Sequence, residues 1–195
     1  DLFSTANWNI PQQIVLTGVA DSIAEAVHDV SITHAATSAD ANYDSAASFV
    51  PSSKAVAVTV YDVDVAAVVV SAAKVNVVEG STATFTVKLS SQPTATVTVT
   101  PTSGNAGDLT VSGALTFTTA NYATPQTVTL TGVADAVHEG METVSVSHVA
   151  SSADANYGGS AVFMPGSDVA ASLYEADVAA VVVSAAKVNV VEGST

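Results

Sequence analysis

Residues 64–89 read DVAAVVVSAAKVNVVEGSTATFTVKL, and two properties of this stretch decide the fold. From Thr82 onward it alternates. Ala83, Phe85, Val87 and Leu89 fall on one face and Thr84, Thr86 and Lys88 on the other, the period of two that marks a half-buried strand. Its first nineteen residues, Asp64 to Thr82, recur letter for letter as Asp177 to Thr195, at an offset of 113 residues. Leu16–Asp21 (LTGVAD) recurs as Leu130–Asp135 and Ser38–Tyr43 (SADANY) as Ser152–Tyr157, at an offset of 114, which puts a one-residue indel between Pro51 and Tyr61.

A period near 113 residues is too long for a solenoid unit and suits an independent sandwich domain. The chain therefore reads as the C-terminal part of one module (1–64), one complete module (65–177) and the opening strands of a third (178–195). A covalent array of which this is a window fits best. Residues 178–195 also carry the opening strands that residues 1–64 lack, so one chain's tail could complete another's head.

The same alternation continues through the central module. Thr96–Thr100, Ala114–Thr118, Gln126–Thr131 and Glu142–His148 each set apolar residues against Thr or Ser, and Val169–Glu175 does so less regularly. Val68–Ser71 and Val75–Val78 form an opening strand broken by Ala72-Ala73-Lys74. Glu79-Gly80, Gln92-Pro93, Gly104-Asn105, Pro125 and Gly158-Gly159 supply turns. About seven short strands per period, each with one polar face, predict an all-β, immunoglobulin-like antiparallel sandwich. Ser22–Val30 has a helix-like look, but its counterpart contains Gly140 and runs into a strand, so it reads as a loop.

Composition agrees. Hydrophobic residues make up 48% of the chain, mostly Val and Ala on a Thr/Ser background, and β-branched residues favour strands. There are 18 acidic residues against 4 lysines and no arginine, a net charge of −14. Phosphate backbones and anionic lipid surfaces need clustered Lys and Arg, so nucleic acid and membrane insertion are both disfavoured, and no apolar run approaches the roughly 20 residues of a spanning helix. Cysteine is absent, which removes disulfides and thiolate sites and leaves metal as the available staple.

The acids of the complete module sit at strand ends: Glu79, Asp108, Asp135, Glu139, Glu175 and Asp177. Antiparallel strands gather their ends at two poles, so several of these loops are expected to converge. Converging carboxylates repel unless a cation neutralises them, and hard oxygen donors in flexible loops suit Ca2+ better than Mg2+. Other chemistry is poorly supported. His138-Glu139 begins an H-E-x-x-H motif, but residue 142 is Glu. Asp40-Ala41-Asn42-Tyr43-Asp44 lacks the glycine and closing glutamate of an EF-hand loop and reads as a turn. His34 and His148 end equivalent strands, where packing or hydrogen bonding fits better than catalysis. Trp8 aligns with Tyr122, predicting an aromatic packed in the core or between strands. No nucleophile elbow or phosphate-binding glycine loop occurs, so an enzyme is not expected.

Val78-Glu79-Gly80, Gly107-Asp108-Leu109, Gly113-Ala114-Leu115-Thr116-Phe117, Ala134-Asp135 with Glu139-Gly140-Met141-Glu142, and Glu175-Ala176-Asp177, taken in order, resemble the Calx-beta domain. The resemblance implies a seven-stranded immunoglobulin-like sandwich holding Ca2+. It implies ligands at Glu79, Asp108, Asp135, Glu139, Glu175 and Asp177, at Asp21, Glu25, Asp62 and Asp64 in the partial module, and at Glu192 in the third. Ala134 and Leu109 stand where that family has an aspartate and a tyrosine, which implies fewer or weaker ions. The expected role is a structural repeat of a secreted or cell-surface filament, stalk, sheath or surface layer. Its partners would be neighbouring modules of the same chain or identical chains. An adhesin module binding a glycan or a protein is the alternative.

Overall fold

The computed structural model describes residues 3–43, 55–158, 167–184, 187 and 192–193. The chain divides into two compact units, Asp1–Asp64 and Val65–Thr195.

Among the described residues of the second unit nine strands form two sheets. β3 (Val68–Val70), β5 (Thr82–Leu89), β9 (Gln126–Gly132) and β7 (Leu109–Val111) make a four-stranded sheet in the order β3-β5-β9-β7. β4 (Lys74–Val78), β11 (Val169–Tyr174), β10 (Glu142–Ser152), β6 (Val97–Ser103) and β8 (Leu115–Phe117) make a five-stranded sheet in the order β4-β11-β10-β6-β8. All pairings are antiparallel except β4 with β11, which run in parallel from Lys74 beside Ala170 to Val78 beside Tyr174. The opening segment thus begins in one sheet and crosses at Ser71–Ala73 to the edge of the other. This is an immunoglobulin-like β-sandwich.

The predicted alternation explains the core. Phe85, Val87 and Leu89 of β5 and Val128 and Leu130 of β9 face Val97 and Val99 of β6, Phe117 of β8 and Val144 and Val146 of β10, all buried in one cluster. Each such side chain contributes about 1.5–3 kcal/mol on burial. The outer faces of the same strands carry Thr82, Thr84 and Thr86 opposite Thr131, Thr129 and Thr127. At the far end of the sandwich from Glu79, Asp154 is buried and its carboxylate accepts from Thr94 N at 2.7 Å and Asn156 N at 2.9 Å. Buried Tyr157 donates to Ser91 O at 2.9 Å, pinning the loop after β5. The turn expected over the SADANY repeat is therefore a turn, fixed here by its aspartate.

Two expectations about strands need correction. Leu109–Val111 is a ninth strand that the alternation did not reveal, because three residues are too few to show a period. The opening strand is two strands in two sheets, because its two halves pair with different partners, β3 with β5 and β4 with β11.

In the first unit β1 (His28–Ile32) and β2 (Val56–Val60) form an antiparallel hairpin with His28 opposite Val60. The repeat aligns this with Glu142 opposite Leu173 in β10 and β11, so the register is the same. Residues 12–18, the counterpart of β9, are not a strand. β9 is held between β5 and β7, and residues 1–64 include no counterpart of either. Trp8 is 71% exposed, against the expectation of a packed aromatic, for the same reason, whereas Tyr122 packs against the core of the second unit. Residues 178–184 form no strand, and the rest of the expected opening strands of a third module, apart from Lys187, Glu192 and Gly193, lies outside the described residues. The strands that pair with their counterparts, β5 and β11, are already paired with β3 and β4.

His148 is buried with its ring edge-to-face on Phe85, centroids 5.5 Å apart. Burial pushes its pKa down, opposed by Ser167 and Asp168. Its proton affinity is therefore higher unfolded than folded. This contribution to stability is whole above the unfolded value and is lost as pH falls below it. His148→Leu is expected to flatten the loss of stability between neutral pH and about pH 5, read as the wild-type-minus-variant difference in urea midpoint. An unchanged pH slope would contradict it.

Candidate functional site

Strand direction gathers the acids. β4 and β11 end at the same pole, β9 ends there, and β7 and β10 begin there. The β4–β11 ladder continues one step past its strands, with Glu79 N donating to Tyr174 O at 2.9 Å, so the next residue of β11's chain, Glu175, arrives beside Glu79. Gly80 then turns the chain with φ +68°, a left-handed conformation natural to glycine. Its N–H donates to Gly132 O at 3.1 Å, and Gly132 N donates to Ser81 O at 3.0 Å. Gly132 permits this approach: a Cβ there would lie 2.8 Å from Val78 O. From that point β9's chain runs directly over Glu79, whose Oε1 accepts from Asp135 N at 2.6 Å. Val133 N donates to Asp108 O at 2.8 Å, which brings the start of β7 alongside.

The result is a cavity lined by Glu79, Asp108, Asp135, Glu139, Glu142 and Glu175, with Gly140, Val133 and Leu173 between them. Carboxylate oxygens of Glu79, Glu175 and Asp177 lie within 4.8 Å of one another. All six residues expected from the complete module are thus at this pole. Glu142 was missing from that set although sequence holds the signal: it shares the inward face of β10 with Val144, Val146 and His148. Its Oε1 is buried without a hydrogen bond, and so is Oδ2 of Asp177.

Electrostatics separate these groups into two kinds. Glu175 accepts from the backbone N–H groups of Glu139 (3.0 Å), Ala176 (3.0 Å) and Asp177 (3.1 Å). Led by the Glu139 amide and then by the Glu79 side chain, these contacts hold its pKa at about 2. Glu139 is pushed up, first by the charge of Asp108, then by desolvation and by Asp135, Glu175 and Glu79. Glu142 is pushed up by burial first and by Asp108 second. One carboxylate is locked in the charged form while two neighbours resist it. The two described lysines in the sandwich, Lys74 and Lys88, pair with Ala170 and Val69 at the opposite pole.

This donor set fits a hard divalent cation. It offers several carboxylates from separate loops, no nitrogen or sulfur donor among the cavity's lining side chains, and two buried carboxylate oxygens without a partner. Glu79, Asp108, Asp135, Glu139, Glu142, Glu175 and Asp177 are the residues that would hold it.

The first unit repeats part of the scaffold. Asp62 accepts from Glu25 N at 2.5 Å and Asp64 N at 3.1 Å, as Glu175 does from the matching Glu139 and Asp177. The Glu25 amide leads in holding Asp62 below the ordinary carboxylate range. Asp21 accepts from Ile23 N as Asp135 does from Val137 N. Asp21, Glu25, Asp62 and Asp64 have no counterpart there of Glu79 or Asp108. Glu192 is exposed and does not line the cavity of the second unit.

No family model matches the chain, and no curated protein matches it. Among solved structures, WR4, a C. elegans MSP family member, is similar at 12% identity and a TM-score of 0.35, over 56% of this chain and 97% of that one.

The two kinds of carboxylate predict opposite mutational signs. Raised pKa values mean that Glu139 and Glu142 stabilise the fold below their unfolded values and oppose it as pH rises through the folded ones. In chelator at neutral pH, Glu139→Gln and Glu142→Gln should each raise the melting temperature. Glu175 has the depressed value, so its contribution is present above the unfolded value and lost toward about pH 2. Glu175→Gln should lower the melting temperature. Equal signs for all three would refute the division.

Proposed function

We propose that this chain is a structural segment of a secreted or cell-surface array of Calx-beta-like modules, in which Ca2+ bound at the acidic pole stiffens the junction to the next module. The observation that carries the proposal is the meeting of seven carboxylates at the chain's exit from the sandwich, two of them with buried, unpartnered oxygens.

The position of the pole gives the ion its role. The chain enters the sandwich at the other end, where Ser90 N donates to Ala67 O at 3.0 Å and β3 begins beside Leu89. It leaves through Glu175, Ala176 and Asp177, and Asp177 leads directly into the repeated sequence at Val178. His138 lies over the same exit, with Nδ1 2.8 Å from Asp177 O. An ion held by Glu79, Glu175 and Asp177 would tie the exit segment to the body of the module. With no residue between Asp177 and the repeated sequence, that tie limits the hinge. Neutralising the cluster would also remove the repulsion felt by Glu139 and Glu142. Verbatim repetition suits a building material, in which every module does the same mechanical work.

Calcium should raise the melting temperature and chelator should reverse the rise. At about 100 times a dissociation constant of ~10⁻⁴ to 10⁻³ M, one site adds about 2.7 kcal/mol. Glu142→Gln should reduce the calcium response while raising the melting temperature in chelator, a reversal that a purely structural role does not give. Identical melting curves with calcium and with chelator would sink the proposal.

A further inference from the structure

We infer that His138 is a latch on the exit of the sandwich. Its ring N–H, donated to the Asp177 carbonyl, holds the departing chain against the β9–β10 loop and presets the Asp177 carboxylate for a cation. The exit at Asp64, where Ala24 stands in its place, is the looser of the two.

The loop between β9 and β10 lies across the exit and is fastened on both sides. Asp135 N donates to Glu79 Oε1 at 2.6 Å and Val137 N to Asp135 Oδ1 at 2.6 Å, which ties the first half of the loop to the end of β4. The next two residues grip the departing chain. Glu139 N donates to Glu175 Oε2 at 3.0 Å, and His138 Nδ1 lies 2.8 Å from Asp177 O. A carbonyl oxygen only accepts, so Nδ1 carries the proton.

Asp177 depends on that bond. Its own N–H donates to Glu175 Oε1 at 3.1 Å, a contact that stays within the exit segment. Among the described residues, His138 supplies the one hydrogen bond that joins Asp177 to the body of the sandwich. Asp177 is nevertheless half-buried, its Oδ2 has no partner, and its carboxylate lies within 4.8 Å of those of Glu79 and Glu175. Repulsion among the three drives Asp177 outward, and the latch opposes it. A ligand group held in place beforehand removes an ordering cost from binding.

The repeat supplies a comparison inside the same chain. At the offset of 114 residues His138 aligns with Ala24. The rest of the grip is kept: Asp62 accepts from Glu25 N and Asp64 N as Glu175 accepts from Glu139 N and Asp177 N. Alanine has no side-chain donor, so position 24 cannot hold the Asp64 carbonyl in this way. The two exits share their backbone grip and differ at the latch, which grades their stiffness. The presetting of Asp177 rests on the reading of the pole as a cation site, whereas the latch itself does not.

The test uses spin labels on the 195-residue chain, which contains no cysteine. Val178→Cys, exposed and directly beyond Asp177, takes a single label. In chelator, His138→Ala should raise the mobility of that label. His138→Asn, whose amide nitrogen can stand where Nδ1 does, should restore it. A label at Val65→Cys, the matching place beyond Asp64, should lose mobility on Ala24→His. In calorimetry His138→Ala should weaken calcium binding about 2- to 10-fold, the worth of one neutral hydrogen bond, and His138→Asn should recover the affinity. Unchanged mobility at residue 178 in His138→Ala, or no rescue by His138→Asn, would overturn the latch. No effect of Ala24→His would overturn the proposed difference between the exits. A looser exit with an unchanged calcium dissociation constant would overturn the presetting alone. A wild type that binds no calcium would sink the reading of the pole and the presetting with it, and the labels would then decide the latch.

Discussion

The parallel pairing of β4 with β11 is the contact on which the rest of the second unit depends. It closes the five-stranded sheet with the chain's own opening segment and joins residues nearly a hundred positions apart in sequence, from Lys74 beside Ala170 to Val78 beside Tyr174. Because the two strands run the same way, they finish together. Two acidic residues, Glu79 and Glu175, therefore emerge side by side instead of at opposite ends. An antiparallel closure would have separated them by the length of the sandwich. The Gly132 contact and the Asp108 carbonyl then draw β9 and β7 to the same point.

The electrostatic consequence is a polarised module. At the exit pole the charge of Asp108 leads in pushing Glu139 up and burial leads in pushing Glu142 up, while backbone amides hold Glu175 in its charged form. Local hydrogen bonding thus fixes part of the cluster in place against the repulsion of the whole. A site built this way is oriented before any cation arrives, and its residual repulsion is what a cation would relieve.

Much of this was legible in the sequence because the side-chain period of a strand is two. Thr82–Leu89 and Glu142–His148 announced their inward faces, and antiparallel alternation announced that loop acids would meet. What escaped had physical reasons. Leu109–Val111 is too short to show a period. The division of the opening segment between two sheets depends on partners far away in sequence. Trp8 is matched to Tyr122 by the repeat, but a packed ring needs neighbours that residues 1–64 do not contain. Glu142 stands on the inward face of β10, outside the loop positions at which the family pattern carries its ligands. Its buried, unpartnered oxygen is a property of tertiary packing, which strand periodicity does not encode.

Entry and exit at opposite poles have a mechanical meaning. A pull between the entry at Ala67 and the exit at Glu175 would load β4 and β11 lengthwise, because the two strands lie side by side and point along the line of force. The ladder between them is then sheared, so its hydrogen bonds share the load and must yield together. Peeling from one end would break them singly at lower force. The bridge that brings Glu79 beside Glu175 lies at the end of this ladder, so the acidic pole sits on the clamp that resists extension.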